Sequence, residues 1–434
     1  VMAEIKPFCG LRFTEKAGAI EALTCPPYDI ISEAQRLAYL QENPCNVIRL
    51  ELPKGENPYE EAGKTLKDWE EQGILRQDTQ PAIYVYEEEF RSAVTEGEVK
   101  KVKGLICRVK AEPFAKGVVL PHEETLSKAK EDRLNLMKAT GCNFSQIYSL
   151  YMDEEHVTRE RIDNLSKDTP RYEFSDGLVT HRLWIINDPV AIQAICEDFA
   201  DRKLYIADGH HRYETAVNFS RYCHETGRCP EGGDADYVMM MLVDMEHEGL
   251  VVFPTHRLVR NLEGFDAQAV LAGCKEHFEI EEFEGDAQME ENMKSRLKAQ
   301  YDEGKKAFAF YAGGNRWYLL TLRDLSVMEK LLPEKSAASQ ALDVTVLHQL
   351  VLEKLMGIDR ENMANQVNLT YTRSMEEALE SVQKGESQCA FLLNPTRVTE
   401  IRDVAAAGEK MPQKSTYFYP KLITGLVMNQ MELD

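Results

Sequence analysis

The run KLYIADGHHRYETAVNFSRY, Lys203 to Tyr222, restricts the fold more than any other stretch. A stiff apolar segment, Leu204 to Ala207, runs straight into Asp208-Gly209-His210-His211-Arg212, and a helical pattern follows at once. Glycine reaches backbone conformations that other residues resist, and the first-turn amides of a helix have no partners inside it. Strand, tight turn and helix start therefore coincide with four polar side chains, so the chain needs an architecture in which strands feed helices. The same arrangement suits an anion. Arg212 can make a two-pronged contact with phosphate oxygens, and His210 and His211 can donate to the same group. Asp208 would repel a bare phosphate, so it is read as orienting a histidine or binding the divalent cation of a nucleotide.

Two plainer readings stand beside this one. Asp208 can cap the helix while the histidines pack or face solvent. His210, His211 and Glu214 can also be read as a metal site, since His211 and Glu214 are three apart on one helical face.

The rest of the chain alternates strands and helices. In NPYEEAGKTLKDWEEQG, Asn57 and Pro58 start a helix, Gly73 ends it, and Tyr59, Ala62, Leu66 and Trp69 share a face. AGKT inside it resembles the end of a phosphate-binding loop, but the position five before Gly63 is Pro58, not glycine. AIYVYEEEF, KVKGLICRV, RLWIIND and KLYIADG read as strands, and GVVLPHEETLSKAKEDRLNLMKAT turns from apolar to helical at Pro121. DYVMMMLVDM and GLVVFPTHRLV read as a strand pair around the polar turn Glu246–Gly249. Beyond Asn261 the pattern restarts, with a Gly313-Gly314-Asn315 hairpin, a long helix DVTVLHQLVLEKLMG, and a closing strand, helix, strand series. The expectation is mixed α/β (α+β) with two lobes, residues 1–260 and 261–434.

Three further motifs carry polar chemistry. LPHEET, Leu120 to Thr125, places His122, Glu123 and Glu124 where an apolar run ends; a nearby imidazole can tune a carboxylate base, and an acidic helix start is the plain alternative. PTHRL puts His256 and Arg257 at a strand end. GEKMPQKSTYFYPK, after a helix whose expected cap is Thr396, offers Lys410, Lys414, Ser415 and Thr416 among aromatics, either as an anion contact or as a core-sealing strand.

Acidic residues outnumber basic ones 73 to 51 and the net charge is −22, which argues against nucleic acid as a partner. The ten cysteines show no CxxC pair, no basic leader precedes an apolar run, and no stretch is apolar over eighteen residues. A soluble, cytoplasmic protein with no membrane partner is expected.

Through CPPYDII, NPCNVIRLELP, PHEET, NFSQIYSLY, HRLW, YIADGHHRYETA and KSTYFYPK, the chain is identified as a member of the domain-of-unknown-function 1015 family. More distantly, the order PHE, DGHHR and a C-terminal NPTRVTEIRDVAAAGEKMPQKST segment resembles the free serine kinases. That resemblance implies a partition-protein/sulfiredoxin-like phosphate-binding core, with an N-terminal extension and a C-terminal α/β lobe. It implies ADP or ATP with Mg²⁺, phosphoryl transfer to a small hydroxyl metabolite led by free L-serine, and Glu123 as the base. Asp208 would hold the metal ion, Gly209, His210, His211 and Arg212 the phosphates, and His122, His256, Arg257, Lys414, Ser415 and Thr416 the substrate. The sequence departs from those kinases in the 85 positions between Glu123 and Asp208, and in Tyr417 and Phe418 where basic residues are expected. A nucleotide-binding regulatory switch and a metal-dependent hydrolase remain as alternatives.

Overall fold

The computed structural model describes residues 2–92, 95–412 and 414–434. The chain forms two compact units: Val1–Val251 with Phe418–Asp434, and Val252–Tyr417. Compared with a division at residue 260, the boundary falls earlier and the closing segment returns to the first unit.

Among the described residues of the first unit, nine strands form one mixed sheet. They are β1 (Ile5–Lys6), β2 (Ile83–Phe90), β3 (Lys100–Lys110), β4 (Val119–Leu120), β5 (Ile147–Tyr151), β6 (Tyr172–Ser175), β7 (Val179–Ile186), β8 (Leu204–Asp208) and β9 (Tyr237–Asp244). Their order is β4-β8-β5-β9-β3-β2-β7-β6, with β1 paired to β3. β4 runs parallel to β8 and β5 parallel to β9, while the other neighbours are antiparallel. β9, YVMMMLVD, is buried at every position, as its unbroken apolar run requires of a strand covered on both faces.

Four helices matter for the site: α1 (Pro58–Glu71), α2 (Ser127–Thr140), α3 (Pro189–Asp198) and α4 (His210–Thr226). The Asp188 side chain accepts from the Val190 amide and Pro189 occupies the first turn of α3, so capping and a preset φ start that helix together. Ile192 and Ile195 of α3 and Tyr213 and Ala216 of α4 share one apolar cluster with Ile83, Val85, Ile206 and Leu242 of the sheet. Tyr213 is fully buried, stacks on Phe114 with ring centroids 5.3 Å apart, and donates to the Glu112 carbonyl at 2.5 Å. Removing such a ring costs about 3–5 kcal/mol, so Tyr213 fixes the start of α4 against the sheet. The AGKT tetrapeptide lies inside α1, whose Ala62, Leu66 and Trp69 are buried.

The second unit holds a six-stranded antiparallel sheet of β10 (His256–Val259), β11 (Phe278–Glu284), β12 (Ala307–Tyr311), β13 (Arg316–Leu322), β14 (Leu369–Thr372) and β15 (Cys389–Leu393), ordered β11-β13-β12-β15-β10-β14. Its helices include α5 (Ala267–Cys274), α6 (Asp343–Leu347), α7 (Met375–Gln383) and α8 (Val398–Ala406). The β12–β13 hairpin forms as expected, with Gly313 and Gly314 at φ 91° and 72°, conformations a β-carbon disfavours.

Three expectations are corrected. GLVVFPTHRLV does not pair with β9: Pro254, which lacks an amide hydrogen, separates Val251–Val252 from β10, and β10 joins the second unit's sheet. DVTVLHQLVLEKLMG is not one regular helix, because after α6 it widens into a π-helical turn over His348–Glu353. Thr396 does not cap α8. Its hydroxyl donates to the Ser415 carbonyl at 3.1 Å, and Arg397 holds the cap position, its amide donating to Glu400 at 2.9 Å. All ten cysteines are free thiols, and among the described residues no helix is long and apolar enough to cross a membrane.

Candidate functional site

β4 and β8 are parallel neighbours, with Leu204 opposite Val119 and Tyr205 opposite Leu120. Pro121-His122-Glu123 and Asp208-Gly209-His210-His211-Arg212 therefore leave the sheet from the same edge, at the carboxyl ends of adjacent strands. Carboxyl ends of parallel strands are where open α/β sheets collect ligands. A register shift between Ile206 and Asp208 sets Asp208 opposite Tyr148 of β5. Gly209 then turns the chain at φ 103°, and α4 begins at His210. A β-carbon on Gly209 would lie 3.0 Å from Arg212 Nη2, a contact that side chain could yield to, so it is the backbone conformation that favours glycine.

The histidines form a chain whose tautomers the geometry decides. His122 is buried and its Nδ1 lies 2.8 Å from the Ile206 carbonyl, which can only accept, so Nδ1 carries the hydrogen. Burial pulls the His122 pKa down to about 4, against the Ile206 carbonyl and Asp208, which favour the charged ring. The His122 amide donates to His210 Nε2 at 3.2 Å, so in neutral His210 the hydrogen sits on Nδ1. That nitrogen is 3.9 Å from Glu123 Oε2. The two rings meet edge to face, 4.7 Å between centroids. A fixed imidazole N–H thus faces the Glu123 carboxylate, an arrangement that orients a general base.

Asp208 is held ionised. Burial opposes its charge, but Lys421, Arg212 and the Gly209 amide outweigh it and bring the carboxyl below the usual range. Lys421 Nζ lies 3.3 Å from Asp208 Oδ2. Arg212 is folded back under the turn, its Nη1 donating to Ser145 Oγ at 3.0 Å and the Gln146 carbonyl at 2.8 Å. Arg212, Ser145, Arg133 and Glu51 line one small internal space. There Arg133 Nη1 donates to Glu51 Oε1 at 2.7 Å, and the guanidinium sits 3.8 Å from the centre of the Tyr28 ring. Burial pushes the Tyr28 pKa up to about 12, against Arg133 and Arg212.

The metal triad is not assembled. His210 Nε2 accepts from the His122 amide, and His211 Nε2 accepts from the Leu126 amide at 2.9 Å. Glu214 accepts from the Thr125 hydroxyl and pairs with Lys130 at 3.2 Å. Among the described residues no group of three His, Cys, Asp or Glu side chains could hold a metal ion. The hydrolase alternative loses its ligand set.

The remaining expected substrate residues belong to the second unit. His256 is inside the sheet, its Nδ1 accepting from the Leu393 amide at 3.0 Å, and burial lowers its pKa to about 3. Arg257 is buried beside it. Its Nη1 donates to the Thr255 carbonyl at 2.5 Å and the Lys414 carbonyl at 3.3 Å, and its Nε to His348 Nε2 at 3.4 Å. Ser415 donates to the Pro412 carbonyl at 2.5 Å. Lys414 has φ 62°, and Thr416 is half-buried. Gln413, inside the same motif, lies outside the described residues.

A family model described as Protein of unknown function (DUF1015) matches residues 5–345. The chain belongs to this family. The DUF1015 match leaves residues 346–434, and with them Lys421 and Ser415, outside its span. No curated protein matches. Among solved structures, the chain is similar to a free serine kinase in complex with AMP, at 15% identity and TM-score 0.34, covering 73% of this chain and 89% of that one. A variant free serine kinase in complex with ADP gives 14% identity, TM-score 0.35 and the same coverages. SbnI from Staphylococcus aureus, truncated at its C-terminus, gives 11% identity and TM-score 0.34, covering 74% of this chain and 86% of that one.

Several of the quoted motifs converge on one place in the first unit. Tyr28 of CPPYDII, Glu51 of NPCNVIRLELP, Ser145 and Gln146 of NFSQIYSLY, and Lys421 of KSTYFYPK all bear on Arg133, Arg212 or Asp208. Sequence reasoning missed Lys421, Ser145, Gln146 and Arg133 as site residues. Their signal was the motif itself, a polar group inside each quoted stretch, with nothing local to name its partner.

Proposed function

We propose that the protein is a nucleotide-dependent phosphotransferase acting on a small hydroxyl metabolite, with free L-serine the leading acceptor. The observation that carries the reading is the oriented pair at the parallel strand ends: the His210 N–H facing Glu123 beside an ionised Asp208 at a glycine turn into α4. Phosphoryl transfer needs positioning, charge stabilisation and one base near the nucleophile, and the groups gathered at this edge support that reading. Gly209 and the first-turn amides of α4, with His211, would hold the donor phosphates, and Arg212 would brace the turn. Asp208 suits a Mg²⁺ ion shared with those phosphates, since Mg²⁺ is commonly held by one or two carboxylates plus phosphate oxygens. When bound, that ion would neutralise charge on the phosphates. Glu123 takes the acceptor hydroxyl proton, the oxygen forms a bond to the terminal phosphorus of ADP or ATP, and the bond to the leaving AMP or ADP breaks. The resemblance to free serine kinases through PHE and DGHHR supports the choice of nucleotide and acceptor.

Transfer from ADP and ATP, with Mg²⁺, to a panel of hydroxyl compounds led by L-serine tests this. Glu123→Gln should lower transfer about 10²- to 10⁴-fold while nucleotide binding measured by calorimetry is retained. Nucleotide binding with no transfer to any acceptor would move the protein to the switch reading. Loss of binding in Glu123→Gln, with unchanged turnover per bound enzyme, would remove Glu123 from the role of base.

A further inference from the structure

At the end of the first unit's sheet opposite the DGHHR turn, β6 and β7 meet a two-stranded ribbon in which Leu11–Phe13 pairs with Leu75–Gln77. Between them lies a cleft of about 950 Å³, room for a whole small molecule. Arg12 is fixed on its wall, with its side chain 14% exposed. Its Nε and Nη2 donate to Asp78 at 2.9 and 2.6 Å, and its Nη1 donates to the Tyr172 hydroxyl at 2.6 Å. Tyr84 donates to Asp78 Oδ2 at 2.6 Å. Burial pushes the Asp78 pKa up, but Arg12, Tyr84 and Arg171 outweigh it and hold the carboxyl below the usual range. A guanidinium carries more hydrogens than these bonds use, so an N–H on each Nη atom is left over. Once Arg12 and Asp78 cancel, three cations of the cleft, Lys16, Arg76 and Arg171, stand against one carboxylate, Glu15. That is an excess of two positive charges in a chain whose net charge is −22. The Arg76 and Arg171 side chains are exposed, and among the described residues neither makes a hydrogen bond or an ion pair.

We infer that this cleft binds a small organic dianion, its charged head against Arg171, Arg76 and Lys16 and its apolar body on the floor of the cleft. Three observations select that class. The charge left after the internal pairing is two, which a dianion neutralises and a monoanion does not. Two of the three cations are arginines without partners, and a guanidinium fork grips phosphate or carboxylate oxygens in a two-pronged way. Phe13, Ile20 and Ile185 line the same space, so a bare inorganic ion would leave both the apolar lining and most of the volume unused. Arg12 adds a donor already set in place by Asp78 and Tyr172, which spares a ligand the cost of ordering it. A phosphomonoester and a pair of carboxylates share this chemistry. None of these residues lies in the PHE or DGHHR motifs, so the site stands apart from the phosphoryl-transfer reading and either can fail alone.

The test is titration calorimetry on the full chain without nucleotide, at low salt and slightly alkaline pH. Phenyl phosphate and phthalate serve as the dianions, with benzoate, benzyl alcohol and inorganic phosphate as controls. At least one dianion should bind tenfold or more tightly than any control. Phenyl phosphate ahead of phthalate would identify a phosphate head, and the reverse order a pair of carboxylates. Arg171→Glu and Arg76→Glu change exposed side chains that hold nothing in the fold, and circular dichroism checks that both variants fold. Each should weaken dianion binding tenfold or more. In the wild type, the bound dianion should also slow hydrogen exchange in residues 73–80 and 171–172. No binding of either dianion, benzoate or inorganic phosphate at parity, or dianion affinity unchanged in both variants would overturn the inference; the last result would also place any phenyl phosphate bound elsewhere.

Discussion

Two buried arginines, one in each unit, show what a partner does for a charge. Arg133 is paired: Glu51 lies at 2.7 Å, Asp132 at 2.9 Å, and the Tyr28 ring covers its face. Arg257 is equally buried, yet its neighbours are two carbonyls, an imidazole and the Tyr371 ring. Burial pulls against both cations. Glu51 then helps lift the Arg133 pKa above the usual value, whereas Arg257 falls to about 10. The first arginine is complete within the fold and braces the neighbourhood of the DGHHR turn. The second is held by neutral acceptors and an aromatic ring.

The sharpest way to break that contrast is to remove each guanidinium in turn. Arg133→Met strands a buried Glu51 carboxylate and should cost about 3–5 kcal/mol, measured by urea denaturation followed by hydrogen exchange in the first unit. Arg257→Met strands no carboxylate, so its cost, read by exchange in the second unit, should be about 1–2 kcal/mol from the carbonyl bonds lost. Equal costs would sink the distinction.

The next effect is a pH dependence. His122 is held neutral, with a folded pKa of about 4 against 6.5 for the free side chain. The unfolded chain binds the extra proton between those values, so this contribution is whole above about pH 6.5 and is lost as pH falls towards 4. It amounts to about 3 kcal/mol. His122→Asn, whose amide can still donate to the Ile206 carbonyl but does not titrate, should flatten the stability profile in that window. An unchanged profile would mean the ring is not held neutral by the fold.

The smallest effect expected is at Asp208. Its carboxyl lies below the usual range, so its ionised form stabilises the fold above about pH 4, and acid removes that contribution. Lys421→Met should weaken the fold by about 1 kcal/mol at neutral pH and start the acid loss at a higher pH. Acid unfolding followed by circular dichroism would show it, and superimposable curves would leave the Asp208–Lys421 contact without energetic weight.

What the sequence made legible was local. KLYIADGHHRYETA announces its strand, its turn and its helix within fourteen positions, and the structure has them as β8, Gly209 and α4. AFAFYAGGNRWYLLTL does the same for its hairpin. The mixed α/β class follows from such pieces, and so does the placement of Glu123 and Asp208 at strand ends. What escaped was set by distant partners. GLVVFPTHRLV reads as one strand because its apolar residues are continuous, yet strand neighbours decide which sheet each half joins, and Pro254 permits the break. The widening at His348 depends on packing that no helical periodicity encodes. Thr396 looked like a cap by residue type, but its hydroxyl found the Ser415 carbonyl. Lys421 carries no sign of Asp208 in its own neighbourhood.

Asp208 and Lys421 are 213 residues apart in the chain. At a ribosome adding about 5–20 residues each second, the carboxylate emerges roughly 10–40 s before its ammonium. All of the second unit is made in that interval, so it can fold while the first still lacks its closing segment. Met428 and Asn429, which bond to Leu11 and pair with Asn143, come later still. A chain cut short before Lys421 would leave the DGHHR turn without its lysine, making this strand edge among the last features of the molecule to be finished.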